Sequence, residues 1–165
     1  MRHSFSLSAL LSIATLGAIA ADAVAGGTQD FILSKIEVNQ SIQTGTTPLV
    51  AGRATFVRAS VRISPPPPGP VLLDGLLRIY VGGVEAAGSP IYSDNGPFPC
   101  SMPPNPALEN GTLNFIFLPP AGNNVTLTVQ VNPPGPNFVP ETVTTNNTAT
   151  TPTLNFAAKQ ATEMV

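Results

Sequence analysis

The strict alternation of side chains over residues 53–63 constrains the fold of this chain more than any other sequence feature. One face of the stretch carries small or apolar side chains, namely Thr55, Val57, Ala59, Val61 and Ile63. The other face carries Arg58 and Arg62. A period of two is the pattern of a β-strand with one buried face and one solvated face. We therefore predict a strand whose valines lie in the core and whose two arginines face water.

The same period recurs along the chain and predicts an all-β protein. It is clearest over residues 125–132, and looser runs occupy residues 31–38, 71–81, 84–92, 112–118, 139–143 and 148–156. Proline and glycine separate these runs, and proline ends a strand because it has no amide hydrogen for the ladder. We also expect a hairpin turn at Gly82 and Gly83 and a long loop over residues 93–111. About seven or eight strands joined in this way are typical of an antiparallel, immunoglobulin-like β-sandwich.

The N-terminal residues have the pattern of an export signal. A basic start at Arg2 precedes an apolar run over residues 5–20, and small residues then provide cleavage patterns. We predict a helical signal peptide over residues 1–25 that is cleaved close to Gly26 or Gly27. The mature protein would then be secreted, periplasmic or on the cell surface. The apolar run is at the short end for crossing a bilayer, so we expect no membrane span after cleavage.

The remainder of the chain has the length and composition of one domain. We predict a single β-sandwich over residues 28–157, which is long enough to bury a substantial core. Charged residues make up 10% of the chain, which is not the composition of a solvated, disordered polypeptide. The formal net charge of −2 provides no basic surface for nucleic acid. We expect residues 158–165 to form a tail, and a truncated reading frame or the first part of a longer protein is an alternative explanation of it.

The side chains that most catalytic and metal sites require are missing from the predicted mature chain. The only histidine, His3, lies in the predicted signal peptide, and the only cysteine is Cys100. A Ser-His-Asp triad, a Cys-His pair and a tetrahedral zinc site all need more than this. We therefore expect no enzyme activity, no catalytic residue and no cofactor. We expect Cys100 to be a structural loop residue, because no Lys, Arg or His flanks it to lower its pKa.

Acidic residues are scattered through the predicted turns and strand edges. A carboxylate-based hydrolase, a remote alternative, would need Asp94 to meet Glu109 or Glu141 in one cleft. Calcium prefers hard oxygen ligands, and the residues that come closest to such a set are Asp94, Asn95, Glu141 and Asn146. Asp-Asn-Gly and Asn-Asn are also ordinary turn sequences. We therefore expect turns at these positions rather than a metal site.

Four segments, taken in order, resemble a family of bacterial exported modules. They are IEVNQSIQ at residues 36–43, PLVAGRATFVRASV at 48–61, LNFIFLP at 113–119 and PETVTTNNT at 140–148. Together they are similar to the immunoglobulin-like β-sandwiches of the CARDB type, the cell-adhesion-related domain of bacteria. In that type an acidic turn with asparagines, here Glu141 with Asn146 and Asn147, precedes the last strand. The resemblance implies a β-sandwich and supplies no catalytic residue.

These patterns predict a non-enzymatic exported module for adhesion, for protein or glycan binding, or for spacing. Its partner would be a protein or a cell-surface polymer, contacted through the predicted loop over residues 93–111. Modules similar to the CARDB type often precede a zinc metallopeptidase domain. An N-terminal accessory fragment of such a peptidase is therefore the alternative. The chain contains no His-Glu-x-x-His sequence, so metallopeptidase activity does not carry over.

Overall fold

The computed structural model describes residues 29–40, 48–100 and 111–158, and these residues form β-strands without a helix. The predicted signal helix over residues 1–25 lies outside the described residues, as do residues 159–165 of the predicted tail. The strands are β1 (Asp30–Asn39), β2 (Leu49–Val50), β3 (Thr55–Ser64), β4 (Val71–Leu73), β5 (Gly75–Val81), β6 (Val84–Glu85), β7 (Ile91–Tyr92), β8 (Phe98–Cys100), β9 (Leu113–Phe117), β10 (Gly122–Val131), β11 (Thr148–Thr150) and β12 (Leu154–Ala157).

Three antiparallel strands form the first sheet, in the order β1-β3-β9. The alternation over residues 53–63 gives β3, as predicted, with Val57 fully buried and Val61 1% exposed. Arg62 faces solvent, as predicted. Arg58 is only half-buried rather than fully solvated, since its Nε donates a hydrogen bond of 3.3 Å to Oγ1 of Thr112.

The second sheet has seven strands and is centred on β10. Its order is β2-β12-β10-β5-β6, with β11 also paired to β10 and β7 also paired to β5. The pairs are antiparallel except that of β2 with β12, which is parallel. The predicted hairpin at Gly82 and Gly83 connects β5 to β6, and the two glycines have φ values of 57° and 84°. Glycine adopts this left-handed region without a steric penalty.

The buried faces of the two sheets share one hydrophobic core. Its most buried side chains, exposed by 1% or less, include Phe31, Val57, Val61 and Phe115 from the first sheet and Leu77, Leu127, Val129 and Phe156 from the second. Leu127 and Val129 of β10 therefore face the same core as Val57 and Val61 of β3, whose burial was predicted. The sheets approach closely at Gly75, where a Cβ atom would lie 2.9 Å from Leu113 Cδ1.

Three of the predicted strands are interrupted. Residues 71–81 divide at Asp74, because its carbonyl oxygen accepts the amide of Asn132 while β4 turns away to pair with β8. Residues 84–92 divide because residues 86–90 leave the sheet, and both β6 and β7 return to pair with β5. Residues 148–156 divide around Pro152, which lies between β11 and β12. Proline cannot donate to the ladder.

The strand predicted over residues 139–143 was wrong. Both the amide and the carbonyl of Val139 bond to the side chain of Asn132 instead of to a neighbouring strand. The long loop predicted over residues 93–111 was also wrong in part, since it contains β8. Cys100 is therefore a buried strand residue rather than a loop residue. Residues 101–110 of that predicted loop lie outside the described residues.

Candidate functional site

The carboxylate of Glu141 is the centre of a partly buried polar cluster. Its Oε2 accepts the backbone amide of Phe31 at 3.1 Å. Its Oε1 accepts Nδ2 of Asn132 and Nδ2 of Asn147, each at 2.6 Å. Hydrogen bonds to a carboxylate are stronger than those between neutral groups. Glu141 thereby links the start of β1 to the segment that connects β10 with β11.

Asn132 fixes the backbone direction of that segment, which allows Glu141 to contact β1. It follows the last residue of β10, has a φ of 52° and is 3% exposed. Asparagine tolerates this left-handed conformation better than most residues. Its Oδ1 accepts the amide of Val139 at 2.9 Å, and its Nδ2 donates to the carbonyl of Val139 at 2.7 Å. The chain is thereby turned so that Glu141 reaches the first residues of β1.

Asn146 and Asn147 tie the two sheets together at the other end of the segment. The carbonyl oxygen of Asn146 accepts the amide of Leu33 in β1 at 3.1 Å, and that of Asn147 accepts the amide of Val131 in β10 at 2.9 Å. Nδ2 of Asn146 also donates to both carboxylate oxygens of Asp30, at 2.9 and 3.1 Å. We call Asp30, Asn132, Glu141, Asn146 and Asn147 the Glu141 cluster.

Two amide oxygens of the Glu141 cluster have no hydrogen-bond partner among the described residues. They are Oδ1 of Asn146 and Oδ1 of Asn147, both inaccessible to solvent. Asn147 is only 3% exposed as a whole residue. A buried polar atom without a hydrogen-bond partner is energetically unfavourable.

The structure places the predicted calcium candidates beside different strands. Glu141 and Asn146 lie in the Glu141 cluster, next to the start of β1. Asp94 and Asn95 lie beside β9: the amide of Asp94 donates to the carbonyl of Asn114, and Oδ1 of Asn95 accepts the amide of Asn114 at 2.9 Å. Nδ2 of Asn95 donates to the carbonyl of Thr112 at 2.8 Å. This second pair therefore caps a strand edge.

Sequence reasoning missed two members of the Glu141 cluster, namely Asp30 and Asn132. Asn132 carried a usable signal, because it is the polar residue that ends the clearest alternating run and precedes a proline. Asn147 was named in the sequence, beside Glu141 and Asn146, as part of the acidic turn. Nothing in the sequence indicated a role for Asp30, because its partner Asn146 lies 116 positions away in the chain.

Two further acidic side chains of the described residues, those of Asp74 and Glu85, have other partners. The carboxylate of Asp74 accepts Nδ2 of Asn137 at 2.8 Å, and Glu85 pairs with Arg78 at 2.9 Å. Glu109 lies outside the described residues. Within residues 29–40, 48–100 and 111–158, no three His, Cys, Asp or Glu side chains are grouped so as to hold a metal ion.

Burial keeps the thiol of Cys100 protonated. Cys100 is 1% exposed in β8, and desolvation raises the pKa of its thiol to about 11. Because the thiolate is the nucleophilic form, the buried thiol is unsuited to nucleophilic chemistry or to metal binding at neutral pH.

Apolar side chains are exposed on the outer face of the first sheet. Phe56 of β3 and Ile116 of β9 lie directly opposite each other, and each is 45% exposed. Leu118, just beyond β9, is 68% exposed. We call these three residues the Phe56 patch. Contiguous exposed apolar groups of this kind often mark contact surfaces between proteins.

Comparison of the chain with protein-family models, with curated proteins and with solved structures gave no match. The resemblance to the CARDB type rests on the four sequence segments quoted above and stays a prediction. Among the described residues, no helix has the length and apolar character needed to span a membrane.

Proposed function

We propose that this chain is a non-enzymatic exported module with an immunoglobulin-like β-sandwich fold, and that it binds a protein or a cell-surface polymer. The strand order supports this fold. In the proposed fold, the order β1-β3-β9 would represent strands A, B and E of an immunoglobulin-like sandwich, and the order β12-β10-β5-β6 would represent strands G, F, C and C′. The sequence pattern over residues 1–25 supports export.

The Phe56 patch is the observation that carries the binding role. Phe56 and Ile116 form a cross-strand pair on a face that the second sheet does not cover, and Leu118 extends the apolar surface at the end of β9. A partner that covers these side chains removes apolar surface from water, which is the main driving force of most protein association. The contact surface proposed here is therefore the open face of the first sheet.

Attachment of coated beads tests this proposal. Beads that carry the purified protein are mixed with cells of the producing strain, and bound beads are counted. We expect Phe56→Ser with Leu118→Ser to lower attachment by about fivefold or more, since truncation of a central contact residue typically has such an effect. Val84→Ser is the matched control, because Val84 is 73% exposed on the Gly82 hairpin of the other sheet.

Two outcomes would contradict the binding role. One is the absence of attachment by the parent protein above that of uncoated beads. The other is equal attachment by the parent, the patch variant and the control, with matching circular dichroism spectra, which would exclude the Phe56 patch as the contact surface.

An accessory role beside a secreted zinc metallopeptidase is the second candidate, and only the sequence resemblance favours it. The test is the nucleotide sequence that follows the codon for Val165. A continuing frame that encodes His-Glu-x-x-His would support the accessory role, and a stop codon at that position would contradict it.

A further inference from the structure

We propose that Asn95 is a deamidation site that the fold keeps closed and that opens with the edge of β9. The sequence Asn95-Gly96 follows β7, and the side chain of Asn95 lies against the start of β9. Deamidation would turn this side chain into a carboxylate and so release the edge irreversibly. The proposal does not depend on the partner of the Phe56 patch, because it concerns a covalent change of the chain itself.

Asparagine followed by glycine favours this reaction, because glycine has no side chain to hinder the attack. The nitrogen of Gly96 loses its proton and bonds to Cγ of Asn95, and the bond from Cγ to Nδ2 breaks with release of ammonia. Water then opens the resulting cyclic imide at one of its carbonyl groups. The product at position 95 is aspartate or isoaspartate, and no oxidant or cofactor takes part.

The folded chain holds both reacting groups in hydrogen bonds. The attacking amide of Gly96 donates to the carbonyl of Ser93 at 3.2 Å. Nδ2 of Asn95, the leaving group, donates to the carbonyl of Thr112 at 2.8 Å, and Oδ1 of Asn95 accepts the amide of Asn114 at 2.9 Å. Both ends of the side-chain amide are therefore fixed on β9, and rotation of Cγ toward the nitrogen of Gly96 requires that these bonds open.

The fold requires both residues of this reactive pair. A Cβ atom at position 96 would collide with Oγ of Ser93 and would lie 3.0 Å from Oδ1 of Asp74, so glycine is needed there. Position 95 must donate to one backbone group of β9 and accept from another, which asparagine does with a single side chain. The chain thus carries a reactive sequence for structural reasons, and the hydrogen bonds of Asn95 protect it.

Deamidation would damage the same edge. An aspartate at position 95 has no N–H for the carbonyl of Thr112 and places a charged oxygen beside it. Isoaspartate would also lengthen the backbone before Gly96, whose surroundings have no room for an added Cβ. Loss of these contacts leaves part of the β9 edge open to another strand.

The rate of deamidation in the folded and in the unfolded protein tests the site. The purified full-length protein is incubated at pH 8 with and without concentrated guanidinium chloride and is then mapped by mass spectrometry. Fragmentation separates Asn95 from Asn110, which also precedes a glycine. We expect Asn95 to react at least about tenfold more slowly in the folded protein, because two side-chain hydrogen bonds must open first. Equal rates, or no reaction of the unfolded chain, would overturn the proposal.

Two variants test the consequence for β9. Asn95→Asp reproduces one product of the reaction, and we expect it to lower the melting temperature by about 3 °C or more. Asn123→Asp is the matched control, because Asn123 is exposed in β10 and its replacement adds the same charge. Melting of Asn95→Asp at the parent temperature, or an equal drop in Asn123→Asp, would overturn the role of Asn95 at the edge. The comparison of rates in the parent protein remains decisive if Asn95→Asp fails to fold.

Discussion

Asn132 adopts a left-handed backbone conformation. Its side chain forms hydrogen bonds with the amide and the carbonyl of Val139, as a neighbouring strand would in a sheet. The next step of the same network is Glu141, whose two carboxylate oxygens accept three N–H groups. At the scale of single residues, these buried polar contacts determine the path of the chain between β10 and β11. Hydrophobic burial alone would not specify that path, because it has no directional requirement.

Replacement of Glu141 by glutamine should therefore be costly. The amide of glutamine has only one acceptor oxygen, so at least one of the three N–H donors loses its partner. We expect the free energy of unfolding, measured in urea, to fall by about 1–3 kcal/mol. Glu85→Gln is the control, since Glu85 forms an exposed pair with Arg78, and such pairs contribute about 1 kcal/mol or less. Equal losses in the two variants would argue against the role of the Glu141 cluster.

The thiol of Cys100 should be unreactive in the folded protein. Burial raises its pKa to about 11 from 9.0, so that the thiolate is scarce at pH 8. We expect no reaction with a thiol reagent at pH 8 until the protein is unfolded, when one thiol per chain reacts. Since the folded state holds the proton more tightly, the contribution of this thiol to stability falls as the pH rises from about 9 toward 11. Rapid labelling of the native protein would contradict the burial of Cys100.

At the scale of single strands, the alternation of buried and exposed side chains determines the register of each strand. β3 and β10 place their alternate side chains in the shared core, and a shift of one residue would exchange the buried and solvated faces. β9 lies at the edge of the first sheet, where one side of its backbone has no neighbouring strand. Its backbone at Asn114 bonds to Asp94 and Asn95, and Pro119 follows the strand, so that little of this edge is open to another strand.

The register of β10 and β3 can be tested with two substitutions. Val129 is fully buried, and Val129→Asp should unfold the protein, because an unpaired buried charge costs several kcal/mol. Arg62 is exposed, and Arg62→Ser should change the free energy of unfolding by less than about 0.5 kcal/mol. Thermal melting compares the two variants. A greater loss in Arg62→Ser would refute the observed register.

Alternation in the sequence predicted β3 and residues 125–131 of β10, because residues 55–59 pair in continuous register with β9 and residues 125–131 pair in continuous register with β5. The breaks in register lie at Ser34 of β1 and at Asn124 of β10. Alternation failed at Asp74 and at residues 86–90, where the pattern of side chains continues although the backbone changes partners. The Glu141 cluster was only partly predictable for a similar reason. The chemistry of Glu141 and Asn146 was visible in the sequence, whereas their contacts with Phe31 and Asp30 join positions more than 100 residues apart.

At the scale of the whole molecule, the proposed export determines the compartment in which the proposed binding would take place. Mass spectrometry of the exported protein should show a mature chain that begins at Gly26 or Gly27. Leu11→Asp, which places a charge in the apolar run, should leave the precursor uncleaved in the cytoplasm. An exported protein that retains Met1 would contradict the predicted signal peptide.

The parallel pairing of β2 with β12 has a mechanical consequence. Phe156 and Ala157 pair with Leu49 and Val50, and the amide of Ala51 donates to the carbonyl of Ala157. A force that pulls the start of β2 away from the end of β12 acts along these two parallel strands in opposite directions. It therefore loads their hydrogen bonds in shear, so that the bonds must break together instead of opening one after another. This pairing is thus the arrangement in which a short pair of strands best withstands a pull between them.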